Sequence, residues 1–372
     1  VPVGRQNISI SMVGYETYVI NEFLVSSGHN ASITAELSPK SEELEEVVVR
    51  VRKDEALNKM STVSSRQFTV EETQRYAGGL NDPARLASSF AGVATPSLTS
   101  NGISVRGNSP NVLLWQIEGV EVPNPNHFAN LTVTGGGFIT AISNQMMGNS
   151  DFHTGAFPAE YGNATSGVFD IKLRKGNNKK RSYTLQAGLI GVDIATEGPF
   201  VEGGKSSYLM NYRNSTMALL SPILPDNTGI LKYQDLAFNT YFPTKKAGTF
   251  SFWGIGALDG QEMEAADSSD WEMNADRDNS KTGLYMYATG LSHRLRLGSK
   301  TFLKTALSST GSGLWHEEKR MGYDDIARPQ SDVDNNSWRF TFLSSLNHYF
   351  SKSHSNETGI KYSNMGYNID IV

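Results

Sequence analysis

Trp338-Arg339-Phe340-Thr341-Phe342-Leu343 is the stretch on which the fold turns. An aromatic residue at every second position gives a β-strand one apolar face, with Arg339, Thr341 and Leu343 on the other. The same period recurs upstream. Tyr208, Met210 and Tyr212 alternate with Leu209, Asn211 and Arg213, and Leu303, Thr305 and Leu307 alternate with Lys304, Ala306 and Ser308. The segments run about ten residues, the length a tilted strand needs to cross a bilayer. From residue 182 to 372 the chain therefore reads as a meander of about nine antiparallel strands, the last near 357–369.

The connections sharpen this reading. Short ones are expected at 201–205, 244–248, 298–300 and 352–356, and long polar ones at 215–231, 259–281 and 311–336. With a tight hairpin at Ile190-Gly191, short and long alternate strictly. Membrane barrels have short turns on the periplasmic side and long loops outside. A soluble β-sandwich with uneven loops is the competing architecture.

Composition removes other classes. The net charge of -5 gives no basic footprint for nucleic acid. No run of about 18 apolar residues suggests a transmembrane helix, although a barrel would hide its apolar residues in alternation. With no cysteine, disulfide and thiol chemistry are out.

Upstream of the meander the pattern changes three times. Residues 1–40 read as strands, with Ile8, Ile10 and Met12 and then Ile33, Ala35 and Leu37 in alternation. Residues 41–59 form a charged linker holding one β-branched run, Val47-Val48-Val49. Residues 60–175 are rich in Gly, Asn, Ser and Pro with short apolar runs, which predicts a compact mixed α/β domain. Its best helix candidate is 81–91, with Asn81 or Asp82 as cap and Pro83 in the first turn.

Three segments of that domain carry a resemblance. Ile103-Ser104-Val105-Arg106-Gly107, then Leu114-Trp115-Gln116-Ile117-Glu118-Gly119-Val120-Glu121-Val122-Pro123-Asn124-Pro125, then Ala159-Glu160-Tyr161-Gly162-Asn163-Ala164-Thr165-Ser166-Gly167-Val168 follow in order. Each is weak alone. Together they resemble the plug signatures of TonB-dependent outer-membrane receptors. Residues 1–40 resemble the end of a carboxypeptidase-regulatory-like module, which precedes such plugs in Bacteroidetes-type envelopes and implies no peptidase activity. Leu44, Glu45, Glu46, Val47, Val48 and Val49 resemble the Ton box, an extended segment that adds a strand to the periplasmic protein TonB through backbone hydrogen bonds. An ordinary last strand of the upstream module is the other reading of that run.

The resemblance implies a mainly β protein: a plug over 60–175 and, over 182–372, the first strands of a transmembrane barrel of about 22. Nine strands cannot enclose a plug of about 115 residues, whose radius of gyration is near 13 Å. A receptor fragment cut at both ends is therefore expected. The implied activity is TonB-dependent import of a nutrient across the Gram-negative outer membrane. A surface ligand-binding or signalling receptor, or an adhesin, without transport is the alternative.

Site residues follow on two levels. Arg106, Gly107, Glu118, Gly119, Glu160, Gly162 and Gly167 are expected to pack or gate the plug, with Arg106 and Glu160 paired to opposite charges. Substrate contacts are expected at outward-facing turns through Asn108, Asn111, Asn124, Asn126, His127 and Phe128, and in loops through Trp271 and Trp315. No catalytic constellation is found: His316-Glu317-Glu318 lacks the second histidine of a zinc protease, and Asp332, Asp334 and Asn336 lack the glycine and glutamate of a calcium loop. Hence no enzyme, no metal and no cofactor are expected. The expected partners are TonB, outer-membrane lipids and a small-molecule, glycan or peptide substrate. A surface lipoprotein stays open as a partner, although Trp115-Gln116-Ile117-Glu118-Gly119 departs from the Tyr-Val-x-Asp-Gly turn of starch-utilisation-type transporters.

Overall fold

The computed structural model describes residues 2–12, 18–25, 56–58, 60–61, 63–76, 78–95, 99–131, 134–188, 190–216, 230–351 and 354–372. The expected Ton box, Leu44 to Val49, and the alternation at Ile33 to Leu37 lie outside these residues. Strands β1 (Gly4–Ile10) and β2 (Tyr18–Val25) pair as an antiparallel hairpin.

A five-stranded sheet forms the centre of the next body, built from β3 (Ser65–Phe68), β6 (Leu114–Ile117), β7 (Val120–Val122), β8 (Ser150–His153) and β9 (Val168–Ile171). Its order is β3-β8-β9-β6-β7, with β6 and β9 parallel and the other pairs antiparallel. Strands β6, β8 and β9 are buried on both faces, which explains their unbroken apolar runs. Phe169 in β9 is the hub: Trp115 stacks on it at 4.3 Å, Phe152 tilts against it at 4.4 Å and Phe68 meets it edge-on at 6.0 Å. Two short helices cover the sheet. α1 (Val70–Arg75) starts with a Thr69/Glu72 capping box. α2 (Pro83–Ala87) is the predicted helix, shorter than 81–91, with Asp82 as cap and Pro83 at its first position. A small ladder, β4 (Val93–Ala94) with β5 (Ser104–Val105), completes this body.

Two of the sequence signatures prove to be the same device. Arg106-Gly107 follows β5, and Glu118-Gly119 joins β6 to β7. Each pair has both residues at positive φ: 53° and 81°, then 53° and 83°. That is the requirement of the tightest hairpin turn, which the second glycine meets without strain.

Nine strands then form one antiparallel meander: β10 (Ser182–Ala187), β11 (Gly191–Pro199), β12 (Ser207–Ser215), β13 (Ile230–Pro243), β14 (Thr249–Met263), β15 (Asp278–Arg296), β16 (Thr301–Met321), β17 (Ala327–Tyr349) and β18 (Ser355–Ile371). The short turns at 201–205, 244–248 and 298–300 fall where expected, and β18 already begins at Ser355, within the span expected as the fourth. The expected long loop at 311–336 does not form. The β16–β17 ladder runs from Thr301↔His348 to Met321↔Ala327 and closes through a turn at 322–326. Backbone pairing there continues past the apolar band. Polar residues on both faces conceal the period of two, so the sequence looks like loop.

The alternation sorts the faces as read. Trp338, Phe340 and Phe342 are exposed on the side away from the five-stranded body, whereas Thr341 is buried towards it. Leu209 and Asn211 are buried inward, and Met210 and Tyr212 are exposed outward. The inward face wraps the five-stranded body closely enough that Trp253, Ile255, Met286, Ala288 and Ala306 share one core with Phe68, Trp115 and Phe169.

Candidate functional site

The contact between the five-stranded body, hereafter the plug, and the nine-stranded wall carries several charge pairs. Its most enclosed element is His127, which is fully buried in the 124–128 turn. Nδ1 lies 2.5 Å from Asp259 Oδ1, and Nε2 lies 2.9 Å from Asp235 Oδ2. The two aspartates sit on neighbouring strands, β14 and β13, at inward positions with almost no solvent contact. Arg213 of β12 donates to both oxygens of Asp235 and to the Thr140 carbonyl. The Phe128 N–H donates to Asp259 Oδ2 at 2.9 Å, and Tyr233 covers the imidazole at 4.4 Å. Burial by itself would lower the His127 pKa. Hydrogen bonds and charge from Asp235 and Asp259 outweigh it and raise the pKa above its ordinary value. The ring is then a doubly donating cation between two anions.

Towards the short-turn end a second set of contacts uses the reverse polarity. Glu121 of β7 is bonded to Arg339 of β17 and, at 3.2 Å, to Lys361 of β18. Burial works against its charge, but these cations hold its carboxyl below the usual range. Glu118 reaches Arg294 of β15 at 3.3 Å with one oxygen and the Leu173 N–H at 2.8 Å with the other. Within the plug, Asp170 pairs with Lys172 at 2.8 Å and accepts from Tyr161.

A third set fastens the chain as it enters the plug. Asp151 of β8 accepts from the backbone N–H groups of Leu57 and Asn58, each at 2.9 Å. The Asn58 amide reaches Glu160 and the Tyr161 hydroxyl, and Ser61 Oγ lies 3.1 Å from His153 Nδ1. Burial pushes Asp151 up to about 6 and His153 down to about 4. Glu160 is also raised, by burial and then by the nearby carboxylates of Glu357 and Asp170.

Several expected roles move. Asn126, His127 and Phe128 are not at an outward-facing turn but buried, because Asn126 bonds Asn101 and His127 and Phe128 face the wall. Asn124 is half-buried and donates to the Gly136 carbonyl, whereas Asn108 and Asn111 are exposed. Arg106 is exposed and donates to Ser64, with no carboxylate partner among the described residues. Glu160 has no cationic partner within bonding distance there either, and Asn58 holds it instead. Gly167 allows close packing, since a Cβ would lie 2.9 Å from Leu113, while Gly162 stands in open space. Trp271 does lie in the β14–β15 connection, where its ring meets Tyr323 edge-on at 5.8 Å and Arg277 lies over both rings. Trp315 is in β16, not in a loop. It lies on the outward face over Gly283, where a Cβ would strike its indole at 2.2 Å.

Sequence reading missed Asp235, Asp259, Arg213, Arg294, Arg339 and Asp151. For the first five a signal existed: each is a charge at an inward position of an alternating strand. Among the described residues, no group of three His, Asp or Glu is arranged to hold a metal.

No protein-family model and no curated protein matches the chain. Solved structures do. The pyoverdine outer membrane receptor FpvA from Pseudomonas aeruginosa PAO1, bound to pyoverdine, matches with a TM-score of 0.58 at 13% identity, covering 84% of this chain and 48% of that one. BauA, the ferric preacinetobactin receptor from Acinetobacter baumannii, matches with a TM-score of 0.56 at 11% identity over 84% and 48%. Fiu, the ferric-catecholate import receptor from E. coli K12, matches in its open form with a TM-score of 0.53 at 10% identity over 82% and 50%. All three are receptors. The chain spans about half the length of the receptors it matches and shares their fold over that part.

Proposed function

We infer that the chain is the plug and part of the barrel wall of an active importer in the Gram-negative outer membrane. The observation that carries this is the character of the plug–wall contact. A purely structural core would be sealed with apolar residues. Here the shared apolar core is joined by charge pairs across the contact, the buried one at His127 and partly exposed ones at Glu118 and Glu121. Such pairs fix one geometry more reliably than they add stability. That suits a body which must be seated in one way and also unseated.

In this reading Leu44 to Val49 pairs as an added strand with TonB. The pull passes through residues 50–61 to the Asp151 catch on β8. Cargo, a small molecule, glycan or peptide, is collected at the outer face by exposed plug turns and by the Trp271 loop. The outward apolar face meets membrane lipid. A peptide spanning residues 41–52, titrated into the purified periplasmic domain of TonB, tests the first step. The expected result is binding with backbone strand pairing visible by NMR, lost when Val48 is replaced by proline. Absence of binding by the parent peptide would remove the transport reading and favour a surface receptor that only binds.

A further inference from the structure

The two outer connections on the β14 to β17 side are joined to each other. The β14–β15 connection, residues 264–277, closes at its neck. The Ala266 N–H donates to the Asp276 carbonyl at 2.7 Å, and the Ala265 N–H to Asn279 Oδ1 at 3.0 Å. Inside it, Asp276 Oδ2 accepts from the N–H groups of Glu272 and Met273 at 2.8 and 2.7 Å, and the Trp271 indole donates to the Ala266 carbonyl at 2.9 Å. A loop whose ends meet and whose own side chains fill it is a compact unit, not a slack connection. The β16–β17 turn beside it is closed by the Arg328–Asp324 pair and by the Gly322 N–H on the Ile326 carbonyl at 2.9 Å. Strand register brings the two together. Asp278 pairs with Arg320 across β15 and β16, and its carboxylate accepts from both arms of the Arg320 fork at 2.6 and 2.8 Å. Arg277, one residue before, therefore reaches Met321, and its Nε donates to that carbonyl at 2.8 Å. The same guanidinium lies 5.4 Å from the Trp271 ring centre and 4.2 Å from that of Tyr323.

We propose that connection 264–277 and turn 322–326 form one platform for cargo, ordered before cargo arrives, with Tyr323 as a second aromatic contact beside Trp271 and Arg277 as the positioning residue that joins them. This rests on the reading that the Trp271 loop collects cargo. Tyr323 touches Trp271 and Arg277 and still leaves 83% of its surface to water. An aromatic side chain held in place yet exposed offers a large contact area with little freedom left to lose on binding. The connection is likewise ordered on folding, so cargo need not supply that entropy. The cargo such a platform fits carries a ring or an aliphatic face that can lie against the two side chains. Arginine suits the joint because its edge can donate to Met321 while its plane lies on a ring, which an ammonium cannot do together.

Amide hydrogen exchange of the intact receptor in outer-membrane vesicles, without cargo, tests the joint. Arg277→Ala should speed exchange at the bonded amides of Gly322 and Asp325, and Tyr323→Ala at those of Ala266, Glu272 and Met273, each by at least about tenfold. Plug residues 124–130 should be unchanged in both. Arg277→Lys should behave like Arg277→Ala, because charge alone does not make the joint. Surface binding is then measured on de-energised cells with the radiolabelled nutrient on which receptor-dependent growth relies. Trp271→Ala and Tyr323→Ala should each weaken it at least about fivefold. Arg277→Ala with Tyr323→Ala should weaken it by less than the product of the two single effects, since Arg277 acts by holding the rings. Unchanged exchange in the opposite connection in both variants would overturn the joined platform. Parental affinity in Tyr323→Ala, with Trp271→Ala weakened, would overturn Tyr323 as a contact and spare the reading beneath it. Parental affinity in Trp271→Ala would sink that reading, and the platform with it.

Discussion

Replacing His127 by alanine removes the cation from between two buried carboxylates. Asp235 and Asp259 have side chains 0% and 4% exposed, so water cannot take its place without a structural change. Two charge-assisted hydrogen bonds are lost, each worth roughly 1.5–3 kcal/mol. Breaking a buried ion pair from one side typically costs about 3–5 kcal/mol. Asp235 keeps Arg213 and Asp259 keeps the Phe128 N–H, so the lower end, ~3 kcal/mol, is expected. That corresponds to roughly a hundredfold rise in the population whose plug is locally unseated. Amide hydrogen exchange of residues 124–130 in the intact, membrane-embedded receptor reads this directly. Adding Asp259→Asn should recover part of the loss, because one uncompensated charge goes with it. The pH dependence has a defined sign. The folded His127 pKa is raised above 6.5, so its contribution is complete below that value and fades as pH rises through the folded pKa. The parent plug should therefore loosen on alkalinisation, and His127→Ala should lack that slope. Exchange in His127→Ala within about threefold of the parent would refute the latch.

Other consequences are independent of the latch. Between pH 4 and 6 two groups oppose each other: Asp151, raised to about 6, makes stability fall as pH rises, and His153, lowered to about 4, makes it climb. Asp151→Asn should leave a plug whose stability rises with pH across that window, and His153→Gln one whose stability falls, both read by denaturant titration. Gly135 has φ +84° and a Cβ there would lie 2.1 Å from the Asn111 backbone nitrogen, so Gly135→Ala should cost more than ~2 kcal/mol, measured the same way. On the outward face, Phe340→Lys should destabilise barrel insertion into lipid vesicles by roughly 2–4 kcal/mol if it lies near mid-membrane. Thr341→Lys, one residue on but facing the plug, should spare insertion and disturb plug packing instead.

What the sequence made legible was whatever depends on local period. Alternation at 338–343 and the spacing of short turns were enough to anticipate nine strands and their facing. Where the period was masked the reading slipped: residues 311–336 carry polar side chains on both faces, and only backbone pairing reveals them as strand. The site was less legible because it is made across the chain. His127 meets Asp235 and Asp259 at separations of 108 and 132 residues, and nothing in the Asn124–Phe128 turn announces that it points inward. Proline and asparagine suggested a surface turn, yet the asparagines bond one another and the neighbouring backbone. Arg106 drew attention as a charge, but its positive φ shows that the turn uses its backbone. The more useful signal was the charge set at inward positions of the strands, which has to be met by something inside the wall.

Import driven through the segment ahead of the plug is tested most directly by deleting residues 45–49 from the intact receptor in cells. Two quantities are then measured side by side: surface binding of the nutrient on which receptor-dependent growth relies, and its accumulation inside the cell. Binding should persist while accumulation falls to the level of cells lacking the receptor. Accumulation at the parental rate would contradict the proposal that this plug is opened from that segment.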